Sequence, residues 1–329
     1  MYLLELGGED DAFAACEAAS ACSAVERLAP GLATARGVSD RVRGLAFTHR
    51  VSRLVGTCDP DIESAVATLE AAGLDREGSI AVRAVDVRGL TGVSTARAER
   101  DLGGVLVDRG FSVDLDDPDH TLRACFSEGV CALGWLEAES VRDFGDRMPT
   151  KKPFFQPGSM DPLFARAVVN IAGARPGATI LDPMCGTGGI LSEAALLGAR
   201  VLGNDAQKKM VEGARVNLEH YFAEDSPLGA ELADWHLTRG DATRLPYRDG
   251  AADAVVFDAP YGRQSKIEHD SLSDLVGDAL RETRRIADRG VLVADRSWVT
   301  EAEAAGWTVR ETFRKRVHRS LDRHVHVLD

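Results

Sequence analysis

The chain has 329 residues, 44% of them hydrophobic and 28% charged, and carries a net charge of −13. That length exceeds the usual single-core size and predicts two domains, while no apolar run approaches the roughly 20 residues needed to cross a bilayer. Six cysteines, at 16, 22, 58, 125, 131 and 185, form no CxxC pair and no Cys/His ligand spacing, which argues against a structural zinc. The start, MYLLELGGEDDAF, turns acidic at once and does not read as a leader peptide, so reduced thiols in a cytoplasmic protein are expected. Lysine occurs only at 151, 152, 208, 209, 266 and 315. This acidic, lysine-poor, alanine-rich composition reads as adaptation to a salt-rich cytoplasm, where net charge is a poor guide to partners.

Residues 1 to about 140 interleave short strands and helices as in an α+β domain. YLLEL opens, a helical stretch is expected from Ala12 to Ala29, and LAFTHRVSRLVGT follows. In DIESAVATLEAAGL the apolar positions Ile62, Val66, Leu69 and Leu74 keep helical spacing. SIAVRAVDVRG alternates like a strand, AERDLGGVLVDRG reads as a helix ended by Gly110, and the stretch from Phe111 to Leu136 reads as strands around a turn at Asp117-Pro118. Residues 141–160, rich in Pro, Gly and charge, read as a linker that packs against the next domain. From residue 161 the pattern becomes strict: a helix to Ala172, strand ATILD, helix, strand RVLGND, helix, strands WHLTRGD and DAVVFD, helix, strand GVLVAD, then strands from Trp307 onward. Apolar strands alternating with helices imply a doubly wound, mostly parallel sheet.

ILDPMCGTGGILSEAALLG places a buried strand, a tight glycine turn and a helix in immediate sequence. Gly186 and Gly188 remove side chains where a ligand approaches backbone, and the helix presents unpaired N–H groups. The turn is not GxGxxG and lacks the Lys-Ser/Thr ending of a phosphate loop. With an acid at the strand end, a ligand bearing an amine or a cationic centre fits better than a phosphate. Asp205 ends the second strand, about 20 residues on, where nucleotide folds put a ribose-binding carboxylate. Asp241 follows the third, suited to an adenine amino group, and Asp258 closes the fourth. Any one of these acids could be a simple helix cap or turn residue, but four in order put carboxylates along the rim where such sheets bind ligands.

These residues resemble the class I S-adenosylmethionine-dependent methyltransferases. Asp182, Pro183, Cys185, Gly186, Thr187 and Gly188 match the segment that wraps the methionine part of the cofactor, Asp205 the ribose acid, and Asp241-Ala242 the adenine-binding segment. Asp258-Ala259-Pro260-Tyr261 resembles the Asp/Asn-Pro-Pro-Tyr motif of enzymes that methylate exocyclic base amines, with Ala259 in place of the first proline. The resemblance implies S-adenosyl-L-methionine as cofactor and no metal, since the sulfonium is the electrophile. It also implies catalytic roles for Asp258, Ala259, Pro260 and Tyr261: Asp258 and a carbonyl of residue 259 or 260 accept the amine hydrogens while Tyr261 stacks on the extruded base. Cys185 reads as packing rather than a nucleophile.

KKPFFQPGSMDPLFARAVVNIAG and RVHRSLDRHVHVL are similar to flanking segments of the archaeal tRNA (guanine-10 N2)-dimethyltransferase family, whose terminal motif usually has Thr where Asp322 stands. GLTGVSTARAERDLGGVLVDRGFSVDLDDPD resembles a THUMP domain, an RNA-binding module. The resemblance covers nearly the whole chain. It implies a ferredoxin-like segment over 1–49, THUMP over 50–140, a linker over 141–160 and a Rossmann-like catalytic domain with a seven-stranded, mostly parallel sheet over 161–329. It further implies methylation of N2 of guanosine 10 in tRNA, once or twice, by a cytoplasmic monomer of a halophilic archaeon with no DNA or membrane partner. Lys151 to Phe155 read equally well as a solvated linker or as a segment beside cofactor or RNA. Arg310, Arg314, Lys315, Arg316, His318, Arg319, Arg323 and His324 make the densest basic tract. Usually such a run is a solvated face; here Arg316, His318, Arg319 and Arg323, with His49, Arg50 and Arg53 in the N-terminal part, are candidate RNA contacts. Two other readings stand beside this one: methylation of another nucleobase amine (rRNA guanine N2 or DNA adenine N6), and a non-catalytic RNA-binding protein with a decayed methyltransferase fold.

Overall fold

The computed structural model describes residues 1–222, 226–231, 233–261, 272–318 and 321–329, and the chain divides into two units, Met1–Ser140 and Val141–Asp329. The first runs β1 (Tyr2–Leu6), α1 (Asp11–Ala18), β2 (Cys22–Ser23), β3 (Glu26–Ala29), β4 (Leu32–Ala35), β5 (Gly37–Val38), β6 (Thr48–Cys58), α2 (Ile62–Ala71), β7 (Ser79–Asp86), α3 (Thr95–Asp108), β8 (Ser112–Val113), β9 (His120–Ser127) and β10 (Val130–Glu139). Eight of these strands form one sheet in the order β3-β4-β1-β6-β10-β9-β7-β8. Because β1 pairs antiparallel with β6, residues on both sides of position 49 share it. Helix α2 starts where Asp61 accepts the Ser64 N–H at 2.8 Å, a cap that satisfies an otherwise orphaned donor. Ile62 and Leu69 of α2 pack with Leu102 and Leu106 of α3 over Ile80, Leu122 and Trp135 of the sheet.

The helix expected from Ala12 to Ala29 stops at Ala18. Pro30 cannot continue a helix, Gly31 adopts a left-handed φ of 74°, and Glu26–Ala29 instead pairs antiparallel with β4 across that turn. Similarly, Asp117-Pro118 only leads into β9; the hairpin of β9 and β10 closes at Glu128-Gly129, with Gly129 at φ 77°.

The second unit runs α4 (Pro162–Ala172), β11 (Thr179–Asp182), α5 (Gly189–Leu196), β12 (Arg200–Asp205), α6 (Lys208–Phe222), β13 (Trp235–Arg239), β14 (Ala254–Asp258), α7 (Leu272–Ile286), β15 (Gly290–Ala294), α8 (Val299–Ala304), β16 (Val309–His318) and β17 (Leu321–Leu328). Its sheet has the order β13-β12-β11-β14-β15-β17-β16. The first five strands of that order are parallel and the β16–β17 hairpin is antiparallel. Ala254 to Phe257 are all fully buried, as a central strand covered on both faces requires. Val255 and Phe257 face Val276, Leu280 and Trp298 in the α7–α8 layer, while α4, α5 and α6 form the other layer. Burying a side chain such as Phe257 contributes about 2–3 kcal/mol. Strand order reverses where β11 meets β14, which opens a crevice at the carboxyl ends of those strands.

Residues 141–160 belong to the second unit. Phe144 and Arg147 are buried there. Arg147 lies 2.7 Å from both Asp143 and Glu193, and Arg166 of α4 reaches Glu193 at 2.8 Å. No helix among the described residues is long and apolar enough to cross a membrane.

Candidate active site

Each apolar strand leading to the crevice delivers a carboxylate to its end. Asp182 ends β11, is 1% exposed, and accepts the Met184 N–H at 3.0 Å. Burial, with Asp205 and Asp258 nearby, pushes its carboxyl well above the usual range. The chain then turns through Gly186 (φ 51°) and Gly188 (φ 75°) into α5. A Cβ at 188 would also stand 3.2 Å from that of Ala214, whereas one at 186 would meet nothing within 4 Å. Glycine at 186 therefore answers the backbone conformation alone, and glycine at 188 answers both conformation and packing.

Asp205 ends β12 and binds the turn directly: its oxygens accept the N–H groups of Gly186 at 3.0 Å and Gln207 at 2.9 Å. Burial raises its pKa against those two hydrogen bonds. Asp241, two residues beyond β13, accepts the Thr243 N–H and hydroxyl, both at 2.9 Å, and Ala242 beside it is buried. The buried Cys185 thiol is pushed well up by desolvation, then by Asp182 and Asp205, so it stays protonated and is no nucleophile.

Asp258 ends β14 one strand over. Burial pushes its carboxyl up to about 6, opposed by the Arg323 guanidinium and by a hydrogen bond from Tyr261, and reinforced by Asp295. The Tyr261 hydroxyl donates to Asp258 Oδ1 at 2.7 Å. Ala259 donates its N–H to the carbonyl of Val293 at 2.8 Å. Proline at 259 could not make that bond, so alanine exchanges a ring constraint for one more link between β14 and β15.

These groups line one cavity of about 840 Å³, which also includes Gln156 to Met160, Arg239 and Leu275. It brings together Asp182, Pro183, Cys185, Gly186, Thr187, Asp205, Asp241, Ala242, Asp258, Ala259, Pro260 and Tyr261, with Gly188 just behind the wall as the N-cap of α5. The segment from Lys151 divides. Lys151 is exposed and Lys152 buried, with its Nζ about where a Cβ on Gly189 would reach (3.0 Å). Phe154 lies against Gly213, and Phe155 is 45% exposed.

Two asparagines that carry no sequence pattern hold the cavity together. Asn204, fully buried on β12, donates to the carbonyls of Pro183 at 3.1 Å and Gly240 at 3.0 Å and accepts from Thr238 at 3.0 Å. Asn217, fully buried on α6, pairs with both the N–H and the carbonyl of Phe154 and donates to the carbonyl of Thr187, each at 2.9 Å.

The candidate RNA contacts fare differently. Arg316 is exposed on β16. His318 ends that strand, its side chain and Arg319 lying outside the described residues. Arg323 requires a correction: its side chain is 7% exposed, too enclosed to meet a phosphate, and its Nε donates to the Tyr261 hydroxyl at 3.1 Å. Arg50 and Arg53 are not unpaired cations either, since they hold Glu139 at 2.5 Å and Glu137 at 2.6 Å on the neighbouring strand. His49 is half-buried over Gly7.

Residues 149–324 match the RMKL-like methyltransferase domain family, UPF0020. A tRNA (guanine(10)-N2)-dimethyltransferase of Methanothermobacter thermautotrophicus is 34% identical, over 87% of this chain and 83% of its own length. The chain belongs to this methyltransferase family. Among solved structures, TrmN from Thermus thermophilus superposes with a TM-score of 0.50 at 23% identity, over 100% of this chain and 99% of that one. SMU.472, a putative methyltransferase complexed with SAH, superposes at 0.50 with 13% identity, over 99% of this chain and 97% of its own. Both likenesses are of fold.

Proposed function

We propose that this methyltransferase transfers one or two methyl groups from S-adenosyl-L-methionine to the exocyclic N2 of guanosine 10 in tRNA. The observation that carries the reading is the placement of Asp258, with Tyr261 bonded to it, in the same cavity as Asp182, Asp205 and Asp241. A relative that spans most of the chain bears the name of that reaction.

The donor set fits the cofactor. A cavity of about 840 Å³ lies in the size range of small-molecule sites, roughly 300–1,000 Å³. Asp205 would accept the ribose hydroxyls, Asp241 and Ala242 would hold the adenine, and the turn from Asp182 to Gly188 would wrap the methionine end, with its one acid, Asp182, toward the amine. When bound, the cofactor supplies a methyl group on a positively charged sulfur. The chain's own residues deal with the acceptor. An amine conjugated to a base ring has a delocalised lone pair and is a weak nucleophile. Asp258 and the carbonyl of residue 259 or 260 accept its two hydrogens, turning the lone pair toward the methyl group. As the N–C bond forms, Asp258 takes the proton. The ring of Tyr261 supplies a face for the extruded base.

The N-terminal unit is read as a THUMP-type module that docks the RNA, and Arg316 as one contact from the catalytic unit. The acidic composition is that of a protein working in concentrated salt, where recognition rests less on counterion release than on directed hydrogen bonds. The test is methyl transfer from labelled cofactor at high potassium chloride to an unmodified tRNA transcript beside a G10-to-A transcript. Labelled N2-methylguanosines in the first and none in the second are expected. Label in both would move the target elsewhere, and a folded protein that binds no cofactor would refute the enzyme.

A further inference from the structure

We propose that Arg323 is a positioning residue for methyl transfer, holding the Tyr261 hydroxyl against Asp258 and keeping that carboxylate ionised in one orientation for the incoming amine. This rests on the functional reading above and adds a third member to the acceptor site, from the far side of the sheet. The topology explains how a residue so distant in sequence arrives there. Asp258 pairs with Val293 of β15, and Val293 pairs with Val325 of β17. Because β17 is antiparallel, Arg323 lies two residues further toward the rim on which Asp258 sits, and its side chain leaves the strand on the same side as that of Val325.

The contacts form a directed chain. Arg323 Nε donates to the Tyr261 hydroxyl at 3.1 Å. A guanidinium has donors only, so the hydroxyl must accept, and its single proton is left for Asp258 Oδ1, 2.7 Å away. The guanidinium itself lies 3.8 Å from Asp258 Oδ2. Oδ1 is thus capped by the tyrosine and Oδ2 faces a cation, which fixes the rotation of the carboxylate about its Cβ–Cγ bond. The Phe164 ring lies 5.8 Å from the guanidinium and carries Lys315 at 4.8 Å, shielding Arg323 from solvent.

The charges facing Asp258 make the cation necessary. Burial and Asp295, just beyond β15, favour the neutral acid; Arg323 and the Tyr261 hydrogen bond oppose them. A neutral carboxylic acid has one acceptor oxygen fewer for an amine and cannot take its proton. Without Arg323, ionisation of Asp258 moves to higher pH and the catalytically able fraction falls.

The experiment is the pH dependence of methyl transfer to a tRNA transcript by the wild type, Arg323→Met and Arg323→Lys, with cofactor affinity measured by calorimetry on each. In the methionine variant the acid limb of kcat should move up by one pH unit or more, which from a limb near 6 means a loss of at least about twofold at pH 7 and about fivefold at pH 6. In the lysine variant the limb should return toward that of the wild type. KM for tRNA should stay within threefold in both. An unmoved limb in Arg323→Met, or a loss confined to KM for tRNA, would overturn the proposal. Should that variant fail to bind cofactor, Tyr261→Phe breaks the same chain while retaining the cation. An upward limb in it supports the proposal, and an unmoved one overturns it. If the wild type itself transfers no methyl group to RNA, the functional reading is what fails. The carboxyl titration of Asp258 by carbon-13 NMR then reads the pairing alone, a rise in Arg323→Met supporting it and no change refuting it.

Discussion

Asn217→Leu isolates how far the cofactor cavity depends on a residue that never touches it. The substitution keeps side-chain volume but removes three hydrogen bonds of 2.9 Å, leaving the N–H and carbonyl of Phe154 and the carbonyl of Thr187 without that partner. The site is fully buried, so each orphaned group costs about 1–3 kcal/mol. Neighbouring losses do not add fully, which sets the expected destabilisation at about 2–5 kcal/mol, read as a shift of the urea midpoint. The same bonds fasten both the glycine turn and the segment that supplies Gln156 to Met160 to the cavity wall. Part of the cost should therefore appear in binding. A weakening of cofactor affinity by at least tenfold, about 1.4 kcal/mol, is expected by calorimetry. Val216→Ala, at a neighbouring position 46% exposed, serves as control and should change stability by less than about 0.5 kcal/mol. A folded Asn217→Leu protein that binds cofactor within twofold of the wild type would refute the reasoning.

Three further outcomes are expected. Because burial brings the Asp258 carboxyl up to about 6 and the ionised form is the one that accepts the amine, transfer should fall below about pH 6, approaching tenfold per pH unit. A profile flat down to pH 5 would count against it. The same group binds a proton more tightly folded than unfolded, so its contribution to stability is present at low pH and is lost as pH rises through about 6. Glu193→Gln leaves Arg147 and Arg166 buried without their shared counter-charge and should cost about 3–5 kcal/mol in denaturant unfolding; a loss below 1 kcal/mol would show that the pair is not held as described. Arg316→Glu, on an exposed strand position, should weaken tRNA binding in a filter assay while leaving cofactor affinity unchanged, and equal loss of both would mark a structural role.

What the sequence made legible in the catalytic unit follows from one physical fact: a central parallel strand must be apolar on both faces, so ILD, LGND and VVFD announce themselves and their terminal acids fall at the rim. The residues that brace the rim leave no such trace. Asn204 interrupts an apolar strand and Asn217 sits in a helix of mixed composition, and nothing in their spacing says that each bonds to loops far away in sequence. Arg323 misleads for a related reason. In a basic tract it reads as surface, but strand alternation sends Arg314 and Arg316 to one side of the hairpin and Arg323, opposite Lys315, to the other. In the N-terminal unit, the stretch from Ala12 to Ala29 reads as one helix. There Pro30 and Gly31 decide the local structure, and pairing with β4 outweighs helix propensity.

The single amide of Asn204 spans the loops that follow β11 and β13, from its own place at the end of β12. None of the three strand ends can open locally without breaking a bond that another shares. The cavity therefore rises and falls as one cooperative unit, a foldon, rather than as three independent loops. Hydrogen exchange at Cys185 and Gly240, whose N–H groups donate to the carbonyls of Asn204 and Asp205, should then proceed at a common opening free energy, and a bound ligand should slow both by the same factor. A small molecule arriving here meets a pocket ordered when the sheet formed, so little of its binding energy is diverted to organising the walls.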